Sequence, residues 1–532
     1  MEVEILTEPN NGRDPSVSLG ASIGRSTLFG IVAAIVQVAT RLVMVPVTIT
    51  HLGLDGYGIW SIVLMLATYM QFGVVGTKSA FQKYVAEATG NGDYHKATKL
   101  LSTGSIAILG ISLVGLIPVA IFSRGLASAA GVPPEYLQSS ARAISMLALV
   151  MVFSNMNAPY EAIITGGHRI DLVRRFGVGL CVLEAAGIIG VLHLGYGIFA
   201  MASVMAASGS IYTFTCYVVS HRVVPQIRVG VKHVTRTVGR ELIRFVGSYQ
   251  LVSMLQLVHG AIAPIAILRA YGARPEGVLA VANRLVSPVQ MCLYAFVVPV
   301  LSGSAMIYAS GSAERMRTLL AKSFKATLYL TLLPLGLISA FGTYVIAAWV
   351  GQTDPQFQAT LALLSLAMFF QSFALLGLVL YRASGRAVMD IVREGLRIVT
   401  ILLVVLFARH LGFLGVLGGL ATAEFVGMLF MMFAIRRTYC QFDMKALLRE
   451  GLRLATATIG IVTVGVLATR VPIPFAASAR AIAGLRMGAI AVATLLSSYP
   501  ILYLTGAVTR GEVRTILEAF GKKTSISIPL ES

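Results

Sequence analysis

The chain has 532 residues, 56% of them hydrophobic and only 12% charged, with a mean hydropathy of +0.81. A soluble domain carries about a quarter charged residues, so a soluble enzyme or binding module is excluded. The formal net charge of +19 would suggest nucleic acid in a soluble protein, but here the positive charges follow the loops on one side, and no nucleic-acid partner is expected.

Taken in order, the chain opens with 25 polar residues of mixed charge, including Glu2, Glu4, Arg13 and Asp14. They lack the order of a cleavable signal and read as an unstructured cytoplasmic tail. Fourteen apolar helices follow, at 26–50, 58–82, 100–123, 142–165, 176–192, 196–219, 245–268, 277–301, 323–348, 359–381, 392–409, 413–435, 452–469 and 482–506. Most are near the roughly 20 residues that cross a bilayer core as helix. A transmembrane β-barrel is excluded, because its strands would be about 10 residues long and alternate in polarity. With the N-terminus inside, Lys and Arg on the inner segments outnumber those on the outer ones about four to one. Both termini are therefore expected on the cytoplasmic side of a plasma membrane. Cys181, Cys216, Cys292 and Cys440 lie in or beside apolar segments, and no pair has metal-ligand spacing.

The chain also repeats itself. Arg41, Pro46 and Leu52-Gly53 are matched by His259, Pro264 and Tyr271-Gly272. The stretch from Ala88 to Leu101 answers Ala309 to Leu320, His168 to Arg175 answers Gly385 to Glu394, and the turn at His193 answers that at His410. An ordered series at offsets of about 220 residues marks a duplication. The expected organisation is a cytoplasmic tail (1–25), a six-helix bundle (26–219), a basic linker (220–244), a second six-helix bundle (245–437), an accessory pair (438–508) and a tail (509–532). Six is even, so both bundles insert the same way up, related by a pseudo-two-fold axis along the membrane normal with a cavity between them. The linker reads as an inter-repeat connection obeying the positive-inside rule, with lipid-headgroup contact as the alternative.

No catalytic motif is present: no Walker loop, no dinucleotide fingerprint, no H-E-x-x-H. The outer loops are short, and Asp55, Glu135, Glu276 and Asp354 are scattered one per loop. Neither enzyme chemistry nor a cofactor or metal is expected. What remains are ionisable groups inside helices, which cost roughly 2.5–3.5 kcal/mol each to insert and usually face a cavity. Gln37, Arg41 and Thr48 share one helical stripe, and Pro46, which cannot donate to the preceding turn, is a candidate hinge. The second copy carries Ser253, Gln256, His259 and Pro264, and the next helix adds Asn283 and Arg284. Arg41, His259 and Arg284, with Gln37, Gln256 and Asn283, form a candidate anion site, since the arginine fork binds two phosphate oxygens. Snorkelling or pairing with a helix acid is the structural alternative. Glu161, Glu184 and Glu424 are candidate counter-charges or ion-coupling sites. Lys78 is expected to snorkel at the inner interface, and Asp171 with Arg174, like Asp390 with Arg393, to form a local helix-start pair.

The first helix with its Arg and Pro, the turn LGLDGYGIW and the stretch VAEATGNGDYHKATKLLSTG resemble the Wzx-type polysaccharide flippases of the multidrug/oligosaccharidyl-lipid/polysaccharide exporter superfamily. The resemblance is best over residues 20–110 and thin over the last two helices. It implies transport of polyprenyl-diphosphate-linked oligosaccharide across the membrane by alternating access, for O-antigen, capsule or exopolysaccharide, with a polysaccharide polymerase and other assembly proteins as candidate partners. It also sets Arg41 and Arg284 beside arginines on the first and eighth helices of the related lipid II flippases. The two extra C-terminal helices resemble a pair that forms a lipid-tail groove there. A cation-coupled multidrug exporter is the alternative, which would want an acid in the first or seventh helix, where this chain has none. A membrane enzyme of glycan assembly is the third reading.

Overall fold

The computed structural model describes residues 15–68, 81–82, 85, 87, 92–167, 169–309, 312–383, 388–407, 411–438, 444–470 and 479–507. Thirteen α-helices are assigned among them: α1 (Pro15–Thr68), α2 (Tyr94–Ala129), α3 (Pro134–Gly166), α4 (Ile170–His193), α5 (Ile198–Val223), α6 (Arg236–Tyr271), α7 (Ala273–Ala309), α8 (Ala313–Trp349), α9 (Gln356–Ala383), α10 (Val388–Phe407), α11 (Gly412–Thr438), α12 (Met444–Thr469) and α13 (Ala479–Leu504). Twelve membrane-length apolar helices are present among the described residues, and α10 is not one of them. The protein is an all-α, multi-pass membrane protein.

α1 joins the first expected helix to the beginning of the second. The helix runs through Pro46 and breaks instead at Gly53, whose φ of 71° lies in the left-handed region. Residues 15–25, expected as unstructured tail, extend α1 toward the N-terminus. Pro15 opens it, where a missing N–H breaks no helical hydrogen bond. Lys78 and residues 69–80 of the second expected helix lie outside the described residues.

The duplication is written into the backbone. Gly53 and Gly272 both have positive φ, as do Gly131 and Gly351, and Gly195 and Gly412. Each pair sits at corresponding turns of the two copies.

Contacts divide the chain into two compact units, Met1–Met254 and Leu255–Ser532. In the first, α3 packs on α5 and α2, and α4 packs on α1 and α5. One core cluster there holds Phe81, Leu101, Ile163 and Ile227. The last of these belongs to the expected linker, which is therefore not a free polar strand. Val224 and Ile227 are buried against α2, Gly230 N–H donates to Ser102 Oγ (3.1 Å) and Thr235 N–H to Thr103 Oγ1 (3.1 Å). A single 3-10 turn, Val231–His233, intervenes before α6 begins at Arg236.

In the second unit α9 is central, packed on α11, α7 and α8, with Phe324 and Phe373 stacked between α8 and α9 at 5.9 Å. α12 and α13 pack on each other and on α8. Small residues set this approach: a Cβ on Gly336 would stand 2.6 Å from Thr458 Cγ2, and one on Gly465 would stand 2.5 Å from Phe341 Cζ. Thr458 is β-branched and its hydroxyl is bonded to the Leu454 carbonyl (2.8 Å), so it has little room to turn away. Gly336→Val is expected to cost about 1–3 kcal/mol through overpacking and to lower the unfolding temperature in detergent micelles. Gly110→Ala, facing open space, should not.

Candidate functional site

In the first unit, α4 lies against α1. Gln37 Nε2 lies 3.8 Å from where a Cβ on Gly177 would stand, which places the α1 amide against this face of α4. Two turns further along α4, Glu184 feels the charge of Arg41 and accepts a long hydrogen bond from Ser208 Oγ (3.4 Å). Ser208 is brought there by Gly187, whose missing side chain leaves room for Val204 on α5. Arg41 itself is exposed and Gln37 half-buried. Glu161 is buried on α3 and accepts from Tyr212 Oη at 2.9 Å.

The second unit holds a denser arrangement. α10 turns Asp390, Arg393, Glu394, Arg397 and Ile401 inward on one buried stripe at helical spacing. Arg393 donates to Glu394 (2.7 Å) and to Glu424 on α11 (3.4 Å). Arg397 donates to Glu394 (2.5 Å) and also bonds Glu424. The result is a closed ring of two guanidinium and two carboxylate groups, none more than 4% exposed. Gly427 makes room for it, since a Cβ there would meet Arg397 Cγ at 3.1 Å. The ring is formally neutral, which is the condition for holding four charges in a low-dielectric interior.

A cavity of about 360 Å³ opens beside this ring. Its polar wall includes His259, Asn283, Gln290, Gln371, Arg397 and Glu424, and Pro264 also borders it. Gln290 Nε2 donates to Gln371 Oε1 at 3.1 Å, linking α7 to α9. His259 is 4% exposed, and its Nε2 has no hydrogen-bond partner among the described residues. A buried imidazole nitrogen with nothing to bond costs free energy unless a ligand supplies the partner.

Of the residues singled out in the sequence, His259, Asn283, Pro264 and Glu424 thus line one cavity, and Gln37, Arg41 and Glu184 lie together on α1 and α4. Gln256 and Arg284 are exposed and do not line the second-unit cavity, and Glu161 stands apart with Tyr212. Asp390, expected to pair with Arg393, is instead bonded by Arg382 at 2.5 Å, because Arg393 points into the ring. Asp171 takes Arg169 at 3.4 Å. Arg393, Glu394 and Arg397 are not among the candidate site residues of the sequence, because charges at the inner end of a short helix read as belonging to the interface. The signal available for them was the spacing Arg393–Arg397 with an acid between.

Residues 30–185 match the MatE family model. A search of curated proteins gave no match. Among solved structures, the lipid II flippase MurJ in an inward closed conformation aligns with a TM-score of 0.69 and 15% identity, over 90% of this chain and 99% of that one. An inward-facing multidrug resistance MATE family transporter of the MOP superfamily aligns with a TM-score of 0.64 and 14% identity, over 77% and 95%. A MOP superfamily transporter from Pyrococcus furiosus, described as having a binding pocket of reverse polarity, aligns with a TM-score of 0.58 and 14% identity, over 79% and 95%. The fold of this chain is the one that these transporters and MurJ share.

Proposed function

We propose that the protein is a flippase that moves polyprenyl-diphosphate-linked oligosaccharide units from the cytoplasmic to the outer leaflet of the plasma membrane, for cell-surface polysaccharide assembly. Both termini are cytoplasmic in this reading, and transport proceeds by alternating access rather than by catalysis. The observation that carries it is Arg41: an exposed guanidinium inside the first membrane helix, where 26–50 holds no acid at all. An anion-bearing substrate suits that helix, and an organic cation does not. The acids of the second unit add to the preference, because Glu394 and Glu424 are already neutralised by Arg393 and Arg397. The MurJ alignment extends over 90% of the chain, the MATE family transporter's over 77%.

The test is reconstitution. Proteoliposomes carrying a polyprenyl-diphosphate disaccharide in the inner leaflet should expose it to an impermeant lectin faster than protein-free vesicles. Proton- or sodium-driven efflux of ethidium, with no gain in lectin exposure, would replace this reading with that of a cation exporter.

A further inference from the structure

A second cavity, of about 570 Å³, lies in the first unit where α2, α3 and the beginning of α5 meet. Its walls carry two arginines, Arg124 and Arg142, with Gln138 one turn before Arg142 on the same face of α3. Met146, Leu149 and Phe199 form an apolar border. Neither arginine has an ion-pair partner among the described residues, and Glu135, the one acid in the sequence between them, does not line the cavity. The two serines of the wall are spent on the backbone, Ser123 donating to the Ala120 carbonyl and Ser145 to that of Ala141. The guanidinium groups are thus the charged donors of the site, with the Gln138 amide beside them.

The surface leading to them is apolar. Val114, Ile117 and Ile121 follow one another along α2 at helical spacing and are 72%, 58% and 68% exposed. Arg124 continues the face of Ile117 and Ile121. From Val114 to Arg124 is ten residues, roughly 15 Å of helix, which is about half of a hydrocarbon core of about 30 Å. One leaflet's depth of exposed apolar helix therefore ends at a pair of unpaired guanidinium groups.

We infer that this cavity binds the phosphate of an anionic phospholipid, with an acyl chain lying along α2. Arginine forks match phosphate oxygens in pairs, and two positive charges with no acid in the wall favour a headgroup of net negative charge over a zwitterionic one. The apolar approach is what distinguishes a lipid from a free anion, which would have no use for it. The site uses none of the residues assigned to transport, and with both termini cytoplasmic, as proposed above, it lies at the outer leaflet.

Native mass spectrometry of the full chain, released from micelles containing dioleoyl-phosphatidylglycerol or dioleoyl-phosphatidylcholine, tests this. The wild type is expected to retain the glycerol lipid in preference to the choline lipid. Loss of each guanidinium should weaken retention roughly fivefold, so R124Q/R142Q should lose most of it and R124K/R142K should keep a substantial part. Both side chains are exposed, so the unfolding temperature of the glutamine variant without lipid should match wild type. Equal retention of phosphatidylglycerol by R124Q/R142Q would overturn the assignment, as would equal retention of the two lipids by the wild type. Displacement of the lipid by an equal concentration of inorganic phosphate would make the cavity a site for a free anion instead.

Discussion

Glu394→Ala is expected to destabilise the protein by about 3–5 kcal/mol, the penalty typical of breaking a buried ion pair from one side. Glu394 is fully buried and receives hydrogen bonds from both Arg393 and Arg397. Without it, two guanidinium groups share the single carboxylate of Glu424, leaving one positive charge uncompensated. A guanidinium keeps its proton in proteins, so the arginines cannot relieve this by becoming neutral. The strain falls on the α10–α11 contact, where Gly427 already holds the Arg397 stem close to the backbone. Unfolding temperature in detergent micelles is the measurement. R393M/E394Q removes one charge of each sign and should melt above either single variant, since neutrality is restored even though hydrogen bonds are lost. An Glu394→Ala protein that melts with wild type would show that the ring contributes nothing to holding α10 in place.

The second large effect is functional. Neutralising both Arg41 and Arg284, as R41Q/R284Q, is expected to reduce surface glycan at least a hundredfold at equal protein level in the membrane. Hydrogen bonds to charged groups contribute about 1.5–3 kcal/mol each, so if each guanidinium holds a phosphate oxygen, as the proposed function requires, losing both is enough for that reduction. Lysine at the same positions keeps the charge but loses the paired donors, and R41K/R284K should fall between the two. Both arginines are exposed, so the glutamine variants should fold. Glycan display at the wild-type level by R41Q/R284Q would remove the diphosphate from the proposal.

Much of this molecule was legible in advance, for a physical reason. In a bilayer every backbone polar group must be bonded within the segment, so long apolar runs have almost no choice but helix, and the element order followed. Single polar residues in such runs stand out, so His259, Asn283 and Glu424 are conspicuous in the sequence, whereas the cavity they share depends on how the helices pack. Arg393, Glu394 and Arg397 escaped because clustered charges at a helix end look like an interface. Nothing in their composition says that the charged face turns inward; that depends on Gly427 and Glu424, 30 or so residues away on α11. The bond between Gln290 and Gln371 joins two helices with no spacing rule between them. The break at Gly53, where a left-handed conformation is free of Cβ strain, falls in the glycine-rich stretch between the expected helices 26–50 and 58–82, so that turn was legible as well.

The paired left-handed glycines also fix how the two copies can be compared in rotational phase. Pro46 precedes Gly53 by seven residues, whereas Pro264 precedes Gly272 by eight. One extra residue in a helix is a turn of about 100° about its axis. Aligned on their prolines, Arg41 and His259 coincide; aligned on their glycines, His259 is swung a quarter-turn or more away from the direction Arg41 takes. A transplant of the 259–272 segment into the first copy would thus have to delete one residue to reach the Gly53 turn in register. The duplicated helices correspond on the proline side, where Arg41 and the buried His259 each stand five residues ahead, and fall one residue out of phase at the glycine turn.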